Sequence, residues 1–270
     1  MLGAVSVVSA SWTSTNWSGY VMDSSGVTAI SASWTVPEVG CANTAGSSTI
    51  TQGLVVWIGF DGLSSSSSQV PEQIGTDSFC VNGSPSYYAW EEDPTTGVGK
   101  TNHVVIALYD QLTPGDQITA SIAYLGKNKF QLTITDPAVG SRTYNVIIPN
   151  APRASAEWIV EAFTNINTQN QVTLPSFRPI TFSGCKVSVN NVAESLKNAQ
   201  PMNMVDSNGN IIVTTQNLNQ AGTSFTVAKV SSASPVPEFQ ATVLVVAATL
   251  LAASVIVRKH VTYLIPQASY

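Results

Sequence analysis

The sequence is short of charge, of histidine and of helical periodicity. Charged residues make up 10% of the chain, against about 25% in an ordinary soluble domain. Eleven basic and sixteen acidic residues give a net charge of −5, and no basic cluster interrupts the main body, which removes the electrostatic footprint of a nucleic-acid-binding surface. Of the two histidines, His260 flanks a C-terminal apolar run, so a serine or cysteine nucleophile would have to rest on His103 alone. His103 opens a strand-like run and reads as structural. No GxSxG elbow surrounds any serine. Neither HExxH nor a Cys/His cluster with ligand spacing is present, so no metal and no cofactor is expected. Before residue 241 no stretch holds a 3.6-residue apolar period, and no segment repeats.

Three cysteines allow at most one internal bridge. Cys41 and Cys80 sit in turn-like contexts without a CxxC partner, and in an exported chain they are expected to pair; three reduced, buried cysteines are the alternative. Cys185 follows Phe182-Ser183-Gly184 near a strand start.

What the chain has in quantity is hydroxyls, amides and short β-branched or aromatic runs separated by Gly, Pro, Asn and Asp. Such runs occur at 29–36, 54–60, 103–109, 117–124, 129–135, 143–148, 156–162, 211–215 and 224–227. They predict an all-β fold, an antiparallel sandwich, filling one domain over 11–230. Pro114-Gly115-Asp116 and Asp206-Ser207-Asn208-Gly209-Asn210 are hairpin signals. Residues 1–10 read as the remnant of a signal peptide or as a plain N-terminal strand. Residues 231–240 read as a linker. The charge-free run 241–257, followed at once by Arg258, Lys259 and His260, reads as a transmembrane anchor near the lower length limit, with 258–270 as its cytoplasmic tail.

With histidine and metal chemistry set aside, catalysis falls to carboxylates, amides and aromatics. Period-two alternation says which of them share a face. In 156–162, Ala156, Trp158, Val160 and Ala162 make a core face, and Glu157, Ile159 and Glu161 lie opposite. In 54–61, Val56, Ile58 and Phe60 are core, leaving Trp57, Gly59 and Asp61 on the other side. In 72–79, Gln73, Gly75 and Asp77 face away from Ile74 and Thr76. Taken singly, each is the ordinary solvent face of a half-exposed sheet.

Read in order, Asn16-Trp17-Ser18-Gly19-Tyr20, Trp34-Thr35-Val36-Pro37, Trp57-Ile58-Gly59-Phe60-Asp61-Gly62, Glu72-Gln73-Ile74-Gly75-Thr76-Asp77, Tyr87-Tyr88-Ala89-Trp90 and Ser155-Ala156-Glu157 resemble the glutamic peptidases, or eqolisins. The resemblance implies two large antiparallel sheets in a lectin-like sandwich whose concave face cleaves peptide bonds in acid. It carries the catalytic pair onto Gln73 and Glu157, and supporting or substrate-binding roles onto Trp57, Asp61, Asp77, Glu92 and Trp17. After Trp90 the chain departs from the family pattern, with Glu91-Glu92-Asp93-Pro94 where further aromatics are usual. A second, shorter resemblance joins Pro237-Glu238-Phe239, the apolar run and its basic flank to archaeal sorting tails.

The chemistry expected is a Glu157 that is ionised at rest, takes a proton from the attacking water and returns it to the leaving amine, while Gln73 stabilises the oxyanion. Asp61 and Asp77 are expected to hydrogen-bond the pair or its waters. Polypeptide would be the substrate, and the enzyme a monomeric catalytic domain that is extracellular, secreted or anchored at the cell surface. A carbohydrate-binding or carbohydrate-cleaving sandwich, with Glu157 and Glu91 or Glu92 as its acids, is the alternative.

Overall fold

The computed structural model describes residues 11–42, 49–63, 71–94, 102–105, 112–165 and 170–230. The readings for 1–10 and for the tail from 231 onward lie outside them. Among the described residues no helix is long and apolar enough to cross a membrane, and the helical content is one 3-10 turn, Leu196–Asn198.

Fourteen strands form one hydrogen-bonded path. In chain order they are β1 (Trp17–Asp23), β2 (Val27–Thr35), β3 (Ile50–Phe60), β4 (Glu72–Val81), β5 (Ser84–Asp93), β6 (Asn102–Val105), β7 (Gln117–Gly126), β8 (Lys129–Asp136), β9 (Gly140–Ile147), β10 (Ser155–Ala162), β11 (Ile180–Val189), β12 (Gln200–Val205), β13 (Ile211–Thr215) and β14 (Phe225–Lys229). Their spatial order is β9-β8-β7-β2-β11-β14-β13-β12-β1-β10-β3-β4-β5-β6, and Trp12–Ser14 and Val192–Glu194 pair off this path. The antiparallel sandwich expected from the sequence is present, but its two sheets are continuous. The join is β11. Its first part, Ile180–Phe182, pairs with β14, and from Ser183 onward it pairs with β2. Just after the changeover, between Ser183 and Lys186, the register shifts at Gly184, whose φ of +60° suits glycine. A strand that changes sheets at a bulge is how sandwiches turn their corners.

The core lies between the sheets and is built by alternation. Leu54, Val56, Ile58 and Phe60 of β3, Ile74 of β4, and Ala156, Trp158 and Val160 of β10 meet Ile30, Trp34, Ile122, Phe130, Leu132 and Phe182 from the facing sheet. Phe60 and Phe130 stand edge-on with centroids 6.2 Å apart. The two indole N–H groups buried here are satisfied across the gap, Trp34 Nε1 donating to Thr76 Oγ1 at 3.0 Å and Trp158 Nε1 to the Ser31 carbonyl at 3.2 Å. Cys41 and Cys80 form the expected disulfide, and Cys185 is a buried free thiol.

A second apolar cluster sits on the outer face of the β1-β10-β3-β4-β5 sheet. Val21, Val55, Trp57, Phe79, Trp90, Ile159 and Met202 form it. These are the side chains that alternation turns away from the core, and among them lie the polar residues singled out above.

Candidate active site

Antiparallel register sorts this face into cross-strand rows. Glu157 is opposite Gly59, Gly59 opposite Gln73, and Gln73 opposite Glu92. The next row is Ile159, Trp57, Gly75 and Trp90; the one beyond is Trp17, Glu161, Val55, Asp77 and Tyr88. Glu157 and Gln73 thus stand two strands apart, roughly 10 Å between backbones, with a glycine between them. A side chain at Gly59 would strike the Trp57 ring at 2.8 Å and Gln73 Cγ at 2.9 Å. The absent side chain leaves room for both functional groups to reach over it.

Beyond the end of β3 the chain folds back across the gap. A Cβ on Gly62 would stand 2.9 Å from the Trp17 ring, 3.4 Å from Gln73 Nε2 and 3.5 Å from the Glu157 carboxyl carbon. One point in space is therefore within 3.5 Å of the amide, the carboxyl and, more closely, the indole. Leu63 N–H donates to Glu157 Oε1 at 3.2 Å, while Oε2 is buried without a hydrogen-bond partner among the described residues.

Trp57 lies across this glycine-lined floor, its Cβ so near Gly75 that a side chain there would overlap it. Trp17 meets Trp57 edge-on at 5.2 Å and 77°. Glu161 holds Trp57 from the other side, its Oε2 accepting the indole N–H at 2.8 Å and its Oε1 accepting Asn16 Nδ2 at 3.2 Å.

Burial sets the electrostatics. Glu157 is fully buried, and desolvation, opposed by the Ser155 hydroxyl and the Leu63 N–H and aided by the charge of Asp61, pushes its carboxyl up to about 8. Desolvation likewise pushes Glu161 up to about 7. Glu72 is fully buried on the opposite face, with neither oxygen partnered among the described residues. Desolvation first, then the charges of Asp61, Glu157 and Asp93, raise it well above the usual range. Against the expectation of a resting carboxylate at Glu157, a carboxyl withdrawn from water favours its neutral form.

Two supporting residues stand outside the Gln73 row. Asp61 follows β3 with φ +61° and so leaves the strand's alternation. Its oxygens accept the backbone N–H of Arg153 at 2.9 Å and of Ala154 at 2.6 Å. It pins the turn that leads into β10 and bonds neither member of the pair. Asp77 is buried in the Glu161 row, separated from the Gln73 row by Gly75 and Trp90. Glu92 does share the Gln73 row, and Trp17 does border the gap. Sequence reasoning left out Glu161 as a site residue, although alternation had set it beside Glu157. Among the described residues no group of His, Cys, Asp and Glu is arranged to hold a metal ion.

Comparison with known proteins shows what the chain is similar to. A model of the Peptidase A4 family matches residues 15–229. Aspergillopepsin-2 of Aspergillus niger is 24% identical over 232 residues, 79% of this chain and 77% of its own length. Among solved structures, scytalido-glutamic peptidase with a peptide-based transition-state analogue superposes with a TM-score of 0.63 at 22% identity, covering 80% of this chain and 98% of that one. SCP-B, an eqolisin in complex with the tripeptide Ala-Ile-His, gives 0.61 at 21%, with the same coverage. Aspergilloglutamic peptidase from A. niger gives 0.53 at 22%, over 66% of this chain and 99% of that one.

Proposed function

The chain belongs to the peptidase A4 family and is a glutamic endopeptidase, and from that premise we propose that Gln73 and Glu157 are its catalytic pair. The observation that carries this reading is the single row in which Glu157 and Gln73 flank Gly59, with amide and carboxyl both within 3.5 Å of one point above the sheet. With the family assignment the carbohydrate alternative falls.

Glu157 works from its neutral form, which burial favours. Gln73 orients the attacking water through Oε1 and donates from Nε2 to the carbonyl oxygen as that oxygen gains charge. As the water oxygen bonds to the carbonyl carbon, Glu157 passes its Oε2 proton to the carbonyl oxygen and takes one proton back from the water. A neutral gem-diol results, and Glu157 is again an acid. In the second half it protonates the amide nitrogen, the C–N bond breaks, and one diol hydroxyl returns a proton to Glu157. Trp57 and Trp17 wall the gap where the peptide lies, and Asp61 acts at one remove by fixing the start of β10. Polypeptide is the substrate of a monomeric enzyme that works outside the cell, secreted or held there by the apolar run 241–257.

The test is digestion of an unfolded protein by the full chain from pH 2 to 7, with Glu157→Gln alongside. Cleavage on the acid side, lost in the folded variant, is expected. A variant that cuts as well as the wild type sinks the pair.

A further inference from the structure

Glu161 is four residues from Glu157 on the same face of β10, and both its oxygens are engaged by side chains of the site. Trp57 Nε1 donates to Oε2 and Asn16 Nδ2 to Oε1. Asn16 is itself held, its Oδ1 accepting Ser14 Oγ at 2.9 Å and its carbonyl accepting Ala162 N–H at 2.8 Å. One carboxyl therefore ties together two segments 41 positions apart in sequence: the stretch that delivers Trp17, and the strand that carries Trp57.

The arrangement is costly for a purely structural one. The Glu161 carboxyl is half-buried, so it gives up part of its hydration, a loss that an apolar side chain of similar volume would not incur. What the carboxyl adds is direction. An indole has a broad, roughly two-fold torsion about its second side-chain bond, and the two sides of Trp57 differ in where they leave the N–H and the six-membered ring. With the N–H held by Glu161, the ring lies over Gly59, between the two members of the pair, and presents its edge contact to Trp17.

We propose that Glu161 is a positioning residue for peptide cleavage: it fixes Trp57 and the Asn16–Trp17 segment so that the substrate lies against a set aromatic floor beside Gln73 and Glu157. This rests on the assignment of that pair as catalytic. The role is exerted through Trp57, so the two residues must act as a unit.

The experiment is a double-mutant cycle in the full chain, comparing Glu161→Leu, Trp57→Phe and the double variant by kcat and KM well below each variant's Tm, with Glu161→Gln and Glu157→Gln alongside. Leucine keeps the volume and removes both acceptors; phenylalanine keeps a ring and removes the same hydrogen bond from the other end. Each single change is expected to lower kcat/KM at least tenfold, and the double variant to fall little below the worse single one. Glu161→Gln, whose amide oxygen can accept one of the two bonds, is expected to recover part of the loss. Additive effects, or wild-type kcat/KM in a Glu161→Leu variant that has lost only Tm, overturn the proposal while Glu157→Gln stays inactive. An active Glu157→Gln would instead overturn the pair itself. If Glu161→Leu does not fold, the same cycle with Glu161→Gln decides by the same criterion of non-additivity.

Discussion

The two sheets present outer faces of opposite character. On β2, β7, β8 and β9 the outward positions form hydroxyl rows, Ser33-Thr119-Thr135-Ser141 and Ser31-Ser121-Thr133-Thr143. The hydroxyls bond one another, Ser33 with Thr119 at 2.8 Å, Thr135 with Ser141 at 2.9 Å and Thr133 with Thr143 at 3.1 Å. No outward position of these four strands carries a carboxylate. The face of β1, β10, β3, β4 and β5 carries Glu157, Gln73, Asp77 and Trp57, all buried. Both faces carry polar groups, on the second face set among the apolar cluster around Trp57. They differ in whether the polar groups can reach water, and that difference decides the energetics: an exposed hydroxyl pair exchanges one set of hydrogen bonds for another at little net gain, whereas a buried carboxyl has its titration, its geometry and its neighbours' geometry all altered.

Four measurements would break or sharpen this contrast. The largest effect belongs to the pair. Gln73→Ala is expected to lower kcat on the order of a hundred to a thousandfold, and Glu157→Gln at least as much, with circular dichroism unchanged; activity within tenfold of wild type in either would place the chemistry elsewhere. Next is Gly62→Ala, which puts a methyl group where amide, carboxyl and Trp17 converge. A displacement of about 1 Å at a reacting centre can cost about a hundredfold, and a loss of that order is expected in peptide cleavage assays with Tm nearly kept.

The third is pH. Glu157 and Glu161 have folded values of about 8 and about 7, against about 4.3 for a free glutamate, and Glu72 is raised as well. Groups raised on folding bind protons more tightly in the native state, so their contribution to stability is complete below the unfolded value and is lost as pH rises through the folded ones. Thermal melts are therefore expected to be highest in acid and to decline from about pH 4.5 to pH 8, and the decline should be shallower in Glu157→Gln. A Tm that rises over that interval would mean that these carboxyls are solvated. The smallest effect belongs to the hydroxyl face. Thr133→Ala is expected to change stability by no more than about 0.5 kcal/mol and kcat/KM not at all, as urea melts and the same cleavage assay would show.

Much of the face that carries Glu157 and Gln73 was legible in the sequence. Strict alternation in 54–61, 72–79 and 156–162 assigned core and outer residues strand by strand, and the apolar residues so assigned within β3, β4 and β10 fall in the two apolar clusters accordingly. What alternation could not supply was register. That Gly59 separates Glu157 from Gln73, and that Glu161 meets a tryptophan 104 positions away, depends on which strands adjoin β10, and its neighbours β1 and β3 are far from it in sequence. Asp61 was misread for a local reason. Alternation was extended one residue past the strand, where the backbone turns to positive φ and the carboxylate swings to the 153–154 amides. β1, β5 and β12 were not assigned as strands: Gly19 interrupts β1, and Pro85 and Pro201 stand at the second positions of β5 and β12.

Because β11 belongs to both sheets, neither half of the sandwich can come apart alone. Peeling β2 away from β11 strips the same strand that β14 needs, and the disruption passes around the corner at Gly184 instead of stopping at a sheet boundary. The face that carries Glu157 and Gln73 thereby shares its fate with the hydroxyl face. Loss of activity and loss of β-structure on heating should then trace a single curve, the mark of an all-or-none transition.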